Sequence, residues 1–330
     1  MQHQPPPPHR PNIDLSIMPE KPLSTCSVAI LMCTYNGQAY LEEQINSLIA
    51  QTHQNWTLYI SDDGSTDGTV TLLNNYRDLI KSRRIHIYSG PRQGFAENFM
   101  SLIRNSDINA EFYAFSDQDD IWFDEKLERS IKALKKLPVD QPALYCSRTR
   151  LIDKKGKVIG FSPAFNQPPA FQNALIQSIA GANTMLLNNA ARNLLKKIPS
   201  GTNIVAHDWL SYLLTTAHGG KVIYDPEPTL DYRQHEANVI GANSSLKERV
   251  IRIGKLFDGR FQQWTDSNLR ILRVVEDDLP SVNRQMLDEF RLGRNSSIFT
   301  RLRLMKRSGI YRQTIAGNIT LILAICLNKI

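Results

Sequence analysis

The sequence lacks any long apolar run and any cysteine pattern that would hold a metal ion or a disulfide framework. A membrane-spanning helix needs about 20 consecutive apolar residues, and no stretch approaching that length occurs in the 330 residues. The 4 cysteines are scattered without a C-x-x-C pair, which disfavours a structural zinc site and a disulfide scaffold. We therefore expect reduced thiols and a cytoplasmic protein.

Both common glycine-rich phosphate-binding motifs are also missing. No G-x-G-x-x-G follows the first apolar segment, and no G-x-x-x-x-G-K-[ST] occurs anywhere. These absences argue against a dinucleotide-binding Rossmann site and a P-loop. If the protein binds a phosphorylated ligand, a metal ion is then expected to balance the phosphate charge.

The two ends of the chain differ in composition from its middle. Residues 1–25 are polar and contain four successive prolines, which predicts a disordered, extended lead without the apolar core of a secretory signal. The net charge is +7, and from residue 247 onward 16 Lys and Arg stand against 8 Asp and Glu. We expect one folded domain over 26–244 and a basic helical tail over 245–330.

The last part of this tail predicts contact with an anionic membrane surface. Seven Lys and Arg and no acid lie between Arg291 and Arg312, and the apolar IAGNITLILAICL follows, which is too short to span a bilayer. This combination is typical of an interfacial anchor on the inner face of a cell membrane. A solvated helical face is the alternative. Aromatic residues are sparse here, so we expect no nucleic-acid binding.

The order of apolar patterns predicts an α/β fold. Strand-like segments at 27–34, 56–61, 84–89 and 111–116 alternate with helical patterns at 41–51, 69–80 and 96–105. Such alternation predicts a mainly parallel sheet flanked by helices. Beyond residue 153 the pattern loosens, with helices expected around 171–179 and 206–218 and extended chain at 221–235.

Polar residues follow three of these predicted strands. The first strand ends in Thr34, Tyr35 and Asn36, the second in Asp62 and Asp63, and the fourth in Asp117, Gln118, Asp119 and Asp120. In an open parallel sheet, ligands bind at the carboxyl ends of the strands. The three groups are therefore expected to line one crevice.

The acidic group after the fourth strand favours a divalent cation. Its three carboxylates repel one another unless a cation neutralises them, and oxygen ligands suit Mg²⁺ or Mn²⁺. Apolar segments on both sides argue against a simple solvated turn. Asp63 can accept a hydrogen bond from a base or a ribose, and Gly64 permits a close approach of the backbone, although a plain turn with a helix cap explains both equally well.

Together these residues resemble family-2 glycosyltransferases, which have the GT-A fold. The segment VAILMCTYNGQAYLEEQINSLIAQTHQNWTLYISDDGSTDGT resembles their opening, and FSDQDDIWFDEKL resembles their metal-binding D-x-D motif. The later HDWLSYL and YRQHEANVIG resemble bacterial rhamnosyltransferases of surface-polysaccharide assembly. The resemblance extends over about 27–242.

This resemblance implies a metal-dependent, inverting transfer of a sugar from a nucleoside diphosphate, with dTDP-rhamnose as a candidate donor, to a glycan or lipid-linked acceptor. It implies nucleotide binding by Thr34, Tyr35, Asn36, Asp62, Asp63 and Asp117, metal binding by Asp117, Asp119 and His235, and catalysis by Asp208 as the base. The family often has Glu-Asp where this chain has His207-Asp208, which leaves His207 without a role. Gly181 and Asn183 would border the donor sugar.

Two other functions remain open at this point. A sugar-1-phosphate nucleotidyltransferase would share the sheet and the metal, but it would normally open with a glycine-rich loop, whereas the first strand here ends in CTYNG. A non-catalytic nucleotide-sugar binding module would not need Asp208. Trp56, Trp122 and Trp209 are expected to be packing residues.

Overall fold

The computed structural model describes residues 22–80, 84–235 and 259–330. The Pro-rich lead up to residue 21 and the predicted domain boundary near residue 244 therefore lie outside the described residues.

A seven-stranded sheet forms the centre of the molecule. Its strands are β1 (Val28–Thr34), β2 (Trp56–Asp62), β3 (Ile85–Ser89), β4 (Phe112–Ser116), β6 (Ala143–Ser147), β9 (Leu186–Asn188) and β10 (Lys221–Asp225). Their order across the sheet is β10-β6-β9-β4-β1-β2-β3. Only β9 runs antiparallel to its two neighbours, β4 and β6. The predicted mainly parallel sheet is thus confirmed.

A second sheet of four strands lies beside the first. It contains β5 (Ile121–Trp122), β7 (Arg150–Asp153), β8 (Val158–Phe161) and β11 (Leu230–Gln234), in the order β5-β11-β7-β8. The sequence indicated extended chain for β11 but gave no sign of β5, β7 or β8.

Helices cover the large sheet and make up the C-terminal region. They are α1 (Leu41–Ile49), α2 (Thr69–Ile80), α3 (Phe95–Arg104), α4 (Lys126–Leu134), α5 (Phe171–Ala174), α6 (Asn189–Lys196), α7 (His207–Ala217), α8 (Arg260–Val274), α9 (Ser281–Arg294), α10 (Ile298–Arg307) and α11 (Ile315–Cys326). The helix expected at 171–179 is only the four-residue α5. No helix in the described part of the chain has the length and apolarity needed to cross a bilayer.

The core lies on both faces of the large sheet. All seven residues of β1 are buried, as expected for a strand covered on both sides. Alternate side chains enter different clusters: Ala29 and Leu31 belong to one, and Ile30 and Met32 to the other. Trp56, Trp122 and Trp209 are buried, so their packing role is confirmed.

Strand register brings the predicted site residues to one edge of the sheet. Thr34 lies opposite Asp62 in the β1–β2 pair, and Met32 lies opposite Ser116 in the β1–β4 pair. The carboxyl ends of β1, β2 and β4 are therefore neighbours. In the second sheet, β11 pairs with β5, which brings His235 next to the acidic group that precedes β5.

Candidate functional site

Asp62 at the end of β2 shapes the loop that follows it. Its carboxylate accepts hydrogen bonds from Thr34 Oγ1 at 2.7 Å, Gly64 N at 3.1 Å and Ser65 N at 2.8 Å. These bonds satisfy both carboxylate oxygens. Asp62 therefore stabilises the junction between the ends of β1 and β2, and direct nucleotide contact by Asp62 or Thr34 stays a prediction.

Asp63 connects the end of β2 to the loop between β3 and α3. Its Oδ1 accepts a hydrogen bond from Arg92 N at 2.6 Å, and its Oδ2 accepts one from Gly94 N at 3.2 Å. A carboxylate oxygen has two lone pairs, so each of these oxygens can still accept a second bond. Asp63 can thus bind a base or a ribose while it holds this loop.

Tyr35 is joined to the acidic group through Gln118. The Tyr35 backbone N donates to Gln118 Oε1 at 2.9 Å, and Gln118 Nε2 donates to the Tyr35 carbonyl at 3.1 Å. The Tyr35 side chain is 60% exposed, so its ring is available to stack on a base. Sequence reasoning assigned nothing to Gln118, although its place inside the acidic group was the available signal.

Asn36 and Gly37 shape the turn after β1. Asn36 has a left-handed backbone with φ 47°, and its Oδ1 accepts a hydrogen bond from Thr66 N at 2.8 Å. A side-chain carbon at Gly37 would lie 2.2 Å from Gln118 Oε1. A side chain at position 37 would therefore have to displace the Gln118 amide.

The carboxylates of Asp119 and Asp120 face different partners. Asp119 Oδ2 lies 2.8 Å from His235 Nε2. Asp120 is fully buried and accepts a hydrogen bond from Asn183 Nδ2 at 2.6 Å. Burial, together with the charges of Asp119 and Asp117, raises the pKa of Asp120 well above its usual range. Asn183, expected to border the donor sugar, is itself buried and holds Asp120.

Asp117 and Asp208 interact electrostatically across the site. Burial, followed by the charges of Asp119 and Asp208, raises the pKa of Asp117 to about 7. Asp208 is in the first turn of α7, and burial raises its pKa to about 6. Burial and the charges of Asp117 and Asp63 raise the pKa of the Cys33 thiol. The ends of three strands and the start of α7 therefore contribute to one charged site.

A cluster around Tyr40 supports His235. The Tyr40 ring stacks on the His235 ring with 5.1 Å between centroids, and the Arg233 guanidinium lies 4.7 Å from the Tyr40 ring centre. Arg233 also donates to Glu43 Oε2 at 2.7 Å. Sequence reasoning missed these partners, although Tyr40 and Glu43 have the three-residue spacing that places side chains on one helical face.

His207 is a buried aromatic packing residue. Its ring stacks on Phe99 with 4.0 Å between centroids and contacts the edges of Phe95 and Phe115. Neither ring nitrogen has a hydrogen-bond partner among the described residues, and burial lowers its pKa to about 3. The residue that the sequence left without a role thus packs the start of α7 against α3.

The side chains present fit a divalent cation held by few protein ligands. Within the described residues, no three His, Cys, Asp or Glu side chains surround one metal position. Mg²⁺ in phosphate-binding sites is commonly held by only one or two carboxylates plus the substrate. The 2.8 Å between Asp119 Oδ2 and His235 Nε2 is close to the roughly 3 Å that separates adjacent ligands of an octahedral ion with bonds of about 2.1 Å. The crowded negative charge around Asp117 also favours a cation.

Known sequences match this chain over most of its length or over a part of it. Residues 29–178 match the family model for glycosyl transferase family 2. The dTDP-rhamnosyl transferase RfbG of Shigella flexneri is 30% identical over 266 residues, which cover 77% of this chain and 88% of that protein. The putative teichuronic acid biosynthesis glycosyltransferase TuaG of Bacillus subtilis is 33% identical over 109 residues, covering 32% of this chain and 40% of TuaG.

Solved structures share the architecture at low sequence identity. TarS 1–349 of S. aureus superposes with a TM-score of 0.50 at 16% identity, over 86% of this chain and 89% of that chain. GalNAc-T7, crystallised with UDP, GalNAc and Mn²⁺, superposes with a TM-score of 0.53 at 13% identity, over 90% of this chain and 58% of that chain. At such identities the likeness shows the fold alone, which is of the GT-A type.

Proposed function

The chain belongs to glycosyl transferase family 2 and is a glycosyltransferase, and on this premise we propose that it transfers rhamnose from dTDP-rhamnose, with inversion, to a glycan or lipid-linked saccharide of a surface polysaccharide. The name of the Shigella relative supports the donor. The observation that carries the mechanism is the placement of Asp208 in the first turn of α7, where its charge helps to raise the pKa of Asp117 after β4. The nucleotidyltransferase and the binding module are set aside, because the family and the relatives are glycosyltransferases.

In this proposal the donor nucleotide lies along the ends of β1 and β2. The exposed Tyr35 ring stacks on the base, and Asp63 accepts a hydrogen bond from the base or the ribose. Asn36 completes the turn beneath them. Asp119 and His235 would hold Mg²⁺ or Mn²⁺, and the bound ion would neutralise charge on the diphosphate. Asp117 would reach the ribose or the metal's hydration shell.

Asp208 is proposed to remove the proton from the attacking acceptor hydroxyl. A carboxylate with a pKa of about 6 is ionised at neutral pH, and it is a stronger base than an ordinary carboxylate. A single base and one direct displacement at the anomeric carbon invert its configuration. Holding both substrates in one crevice supplies much of the remaining rate advantage.

A polar cleft between the start of α3 and the loop that precedes α7 is the proposed place of the acceptor. It is lined by side chains at the start of α3 and in the loop that leads to Asp208, among them Gln93, Glu97, Thr202 and Asn203. Glu97 is held by Arg104 at 2.7 Å and by Ser200 at 2.9 Å. Such groups can donate and accept the hydrogen bonds that sugar hydroxyls require.

The base assignment is tested with Asp208→Asn. We expect it to bind dTDP-rhamnose as the unaltered chain does and to lower turnover by roughly 10²- to 10⁴-fold. Calorimetry would measure binding, and product formation on a rhamnose-accepting glycan would measure transfer. Asp140→Asn, an exposed site, is the matched control. Near-normal turnover by Asp208→Asn would overturn the assignment.

The donor and metal are tested separately. Nucleotide sugars are compared by thermal shift with and without Mn²⁺, and dTDP-rhamnose is expected to give the largest metal-dependent stabilisation. Asp119→Asn should lose most of the metal-dependent part. If another nucleotide sugar gives a larger thermal shift, the proposed donor is wrong, but the assignment to the glycosyltransferase family is unaffected. NMR of the product's anomeric configuration tests inversion.

A further inference from the structure

An apolar stripe runs along the outer face of α11. It consists of five large aliphatic side chains, each between 52% and 83% exposed: Ile315, Ile319, Ile322, Leu323 and Leu327. Their spacing of three and four residues places them on one side of the helix. The opposite side, with Leu321 and Ile325, packs into the core. Exposed aliphatic side chains grouped in this way indicate a surface that is covered by another body.

A basic face on α10 accompanies the stripe. Phe299 is 83% exposed, and Arg303 and Lys306 are exposed at four and seven residues beyond it, so the three share one side of α10. Helix α10 packs against both α9 and α11. The apolar stripe and the basic face therefore belong to adjoining helices of one packed unit.

The structure narrows the set of basic residues that can meet a partner. Arg301 is buried and donates to the Ile325 and Ser296 carbonyls. Arg291, Arg294 and Arg307 form ion pairs with Glu276, Asp266 and Glu289. These four arginines stabilise the helical unit itself. Arg303 and Lys306 remain as the exposed cations of α10 that form no ion pair within the described part of the chain.

We propose that the apolar stripe of α11 and the basic face of α10 dock together on an anionic lipid surface. The positive charge of this region favours a negatively charged partner, because the chain after Glu289 contains eight Lys and Arg and no Asp or Glu. Two copies joined through this face would bring like charges together, which is unfavourable. An anionic bilayer supplies the opposite charge and an apolar interior together.

The stripe would lie in the plane of the lipid surface. A 12-residue helix is about 18 Å long at 1.5 Å per residue, whereas the bilayer core is about 30 Å thick. One side of α11 is also committed to the protein core. The geometry thus fits a helix with one face inserted, and it does not depend on which sugar the enzyme transfers.

The test is vesicle flotation of the full chain. Vesicles of phosphatidylcholine alone are compared with an equimolar mixture of phosphatidylcholine and phosphatidylglycerol, and we expect binding to the mixture that weakens as salt is raised. Arg303→Gln with Lys306→Gln should weaken it by roughly 30-fold, at about 1 kcal/mol per cation. Ile319→Ser with Leu323→Ser should weaken it by more than about tenfold on both kinds of vesicle.

Matched controls use equally exposed positions elsewhere. Leu79→Ser with Val139→Ser removes two exposed aliphatics, and Lys196→Gln removes an exposed cation; neither should change flotation. Circular dichroism and dTDP-rhamnose binding confirm that each variant is folded. Unchanged flotation of both α10 and α11 variants would overturn the proposal. So would a concentration-dependent dimer, seen by sedimentation velocity, that the α11 variant abolishes.

Discussion

The His207 ring stacks on Phe99 with 4.0 Å between their centroids and an angle of 18° between their planes. Because His207 directly precedes Asp208, this contact fixes the start of α7 relative to α3. The position of the proposed base therefore depends on an aromatic contact in which the imidazole acts as an uncharged ring.

Replacing His207 by Phe should preserve both stability and turnover, since the stacking is retained. Replacing it by Ala should lower the free energy of unfolding by about 2–4 kcal/mol because a buried ring is lost. Turnover should fall with it as the start of α7 loosens. Urea unfolding and initial rates measure the two effects. Equal loss in both variants would show that the ring nitrogens matter.

The unaltered chain and the His207→Phe variant should differ in how their stability depends on pH. The pKa of His207 is about 3 in the fold and about 6.5 when unfolded, so below pH 6.5 only the unfolded state gains the proton. The unaltered chain should therefore lose stability relative to His207→Phe as pH falls, by about 2 kcal/mol at pH 5. Above pH 6.5 the difference should be constant. The free energies of unfolding are measured with urea. A difference between the two proteins that stays constant from pH 5 to 8 would contradict this prediction.

Turnover should depend on the ionisation of Asp208. Its raised pKa of about 6 means that the carboxylate is the minor form at lower pH, so kcat should fall about tenfold per pH unit below that value. Rates are measured at saturating donor, acceptor and Mn²⁺, and Mn²⁺ binding is followed over the same range as a control. If the residual kcat of Asp208→Asn still falls at low pH in the same way, the pH dependence belongs to another group.

Gly37→Ala should weaken donor binding by roughly 10- to 100-fold, because its new carbon would displace Gln118 and with it the Tyr35 backbone. Calorimetry with dTDP-rhamnose gives the dissociation constant. Gln118→Ala removes the clashing atoms, so the double variant should bind no worse than Gln118→Ala alone. If the losses of donor affinity in the two single variants add up in the double variant, the effect of Gly37→Ala does not arise from its contact with Gln118.

Tyr40→Ala should weaken Mn²⁺ binding by about 10- to 100-fold, as is typical when a residue that orients a metal ligand is lost. Tyr40→Phe should keep the affinity, since it keeps the ring that stacks on His235. Mn²⁺ titration followed by electron paramagnetic resonance measures binding without activity. Tyr311→Ala, in the C-terminal region, is the control. Equal affinities for the Ala and Phe variants at position 40 would refute the supporting role.

The parts of the fold that could be predicted are those with strong local patterns. Strand β1 is buried at every position and reads as an uninterrupted apolar run, and α1, α2 and α3 show helical spacing. Strands such as β9, with three residues, and β5, with two, are too short to produce a periodic signal. Their existence depends on pairing with distant strands.

The candidate site likewise contains residues that local patterns predict and contacts that they do not. Asp63 and Asp117 were predicted because they directly follow apolar strands and belong to recognisable segments. The support of Asp120 by Arg233 spans 113 residues, and the contact between Arg233 and Glu43 spans 190. Such contacts follow from how the two sheets pack, and no local pattern carries that information.

The pairing of β11 with β5 offers a way to test whether the chain has folded correctly. Asp119 lies two residues before β5 and His235 one residue after β11, so the register that places Leu230 opposite Trp122 also sets the distance between these two side chains. A slip of one residue would turn the side chains of β11 to the opposite face. Affinity for Mn²⁺ would then report whether a newly synthesised chain has assembled its second sheet correctly, which gives a simple quality test for any recombinant preparation.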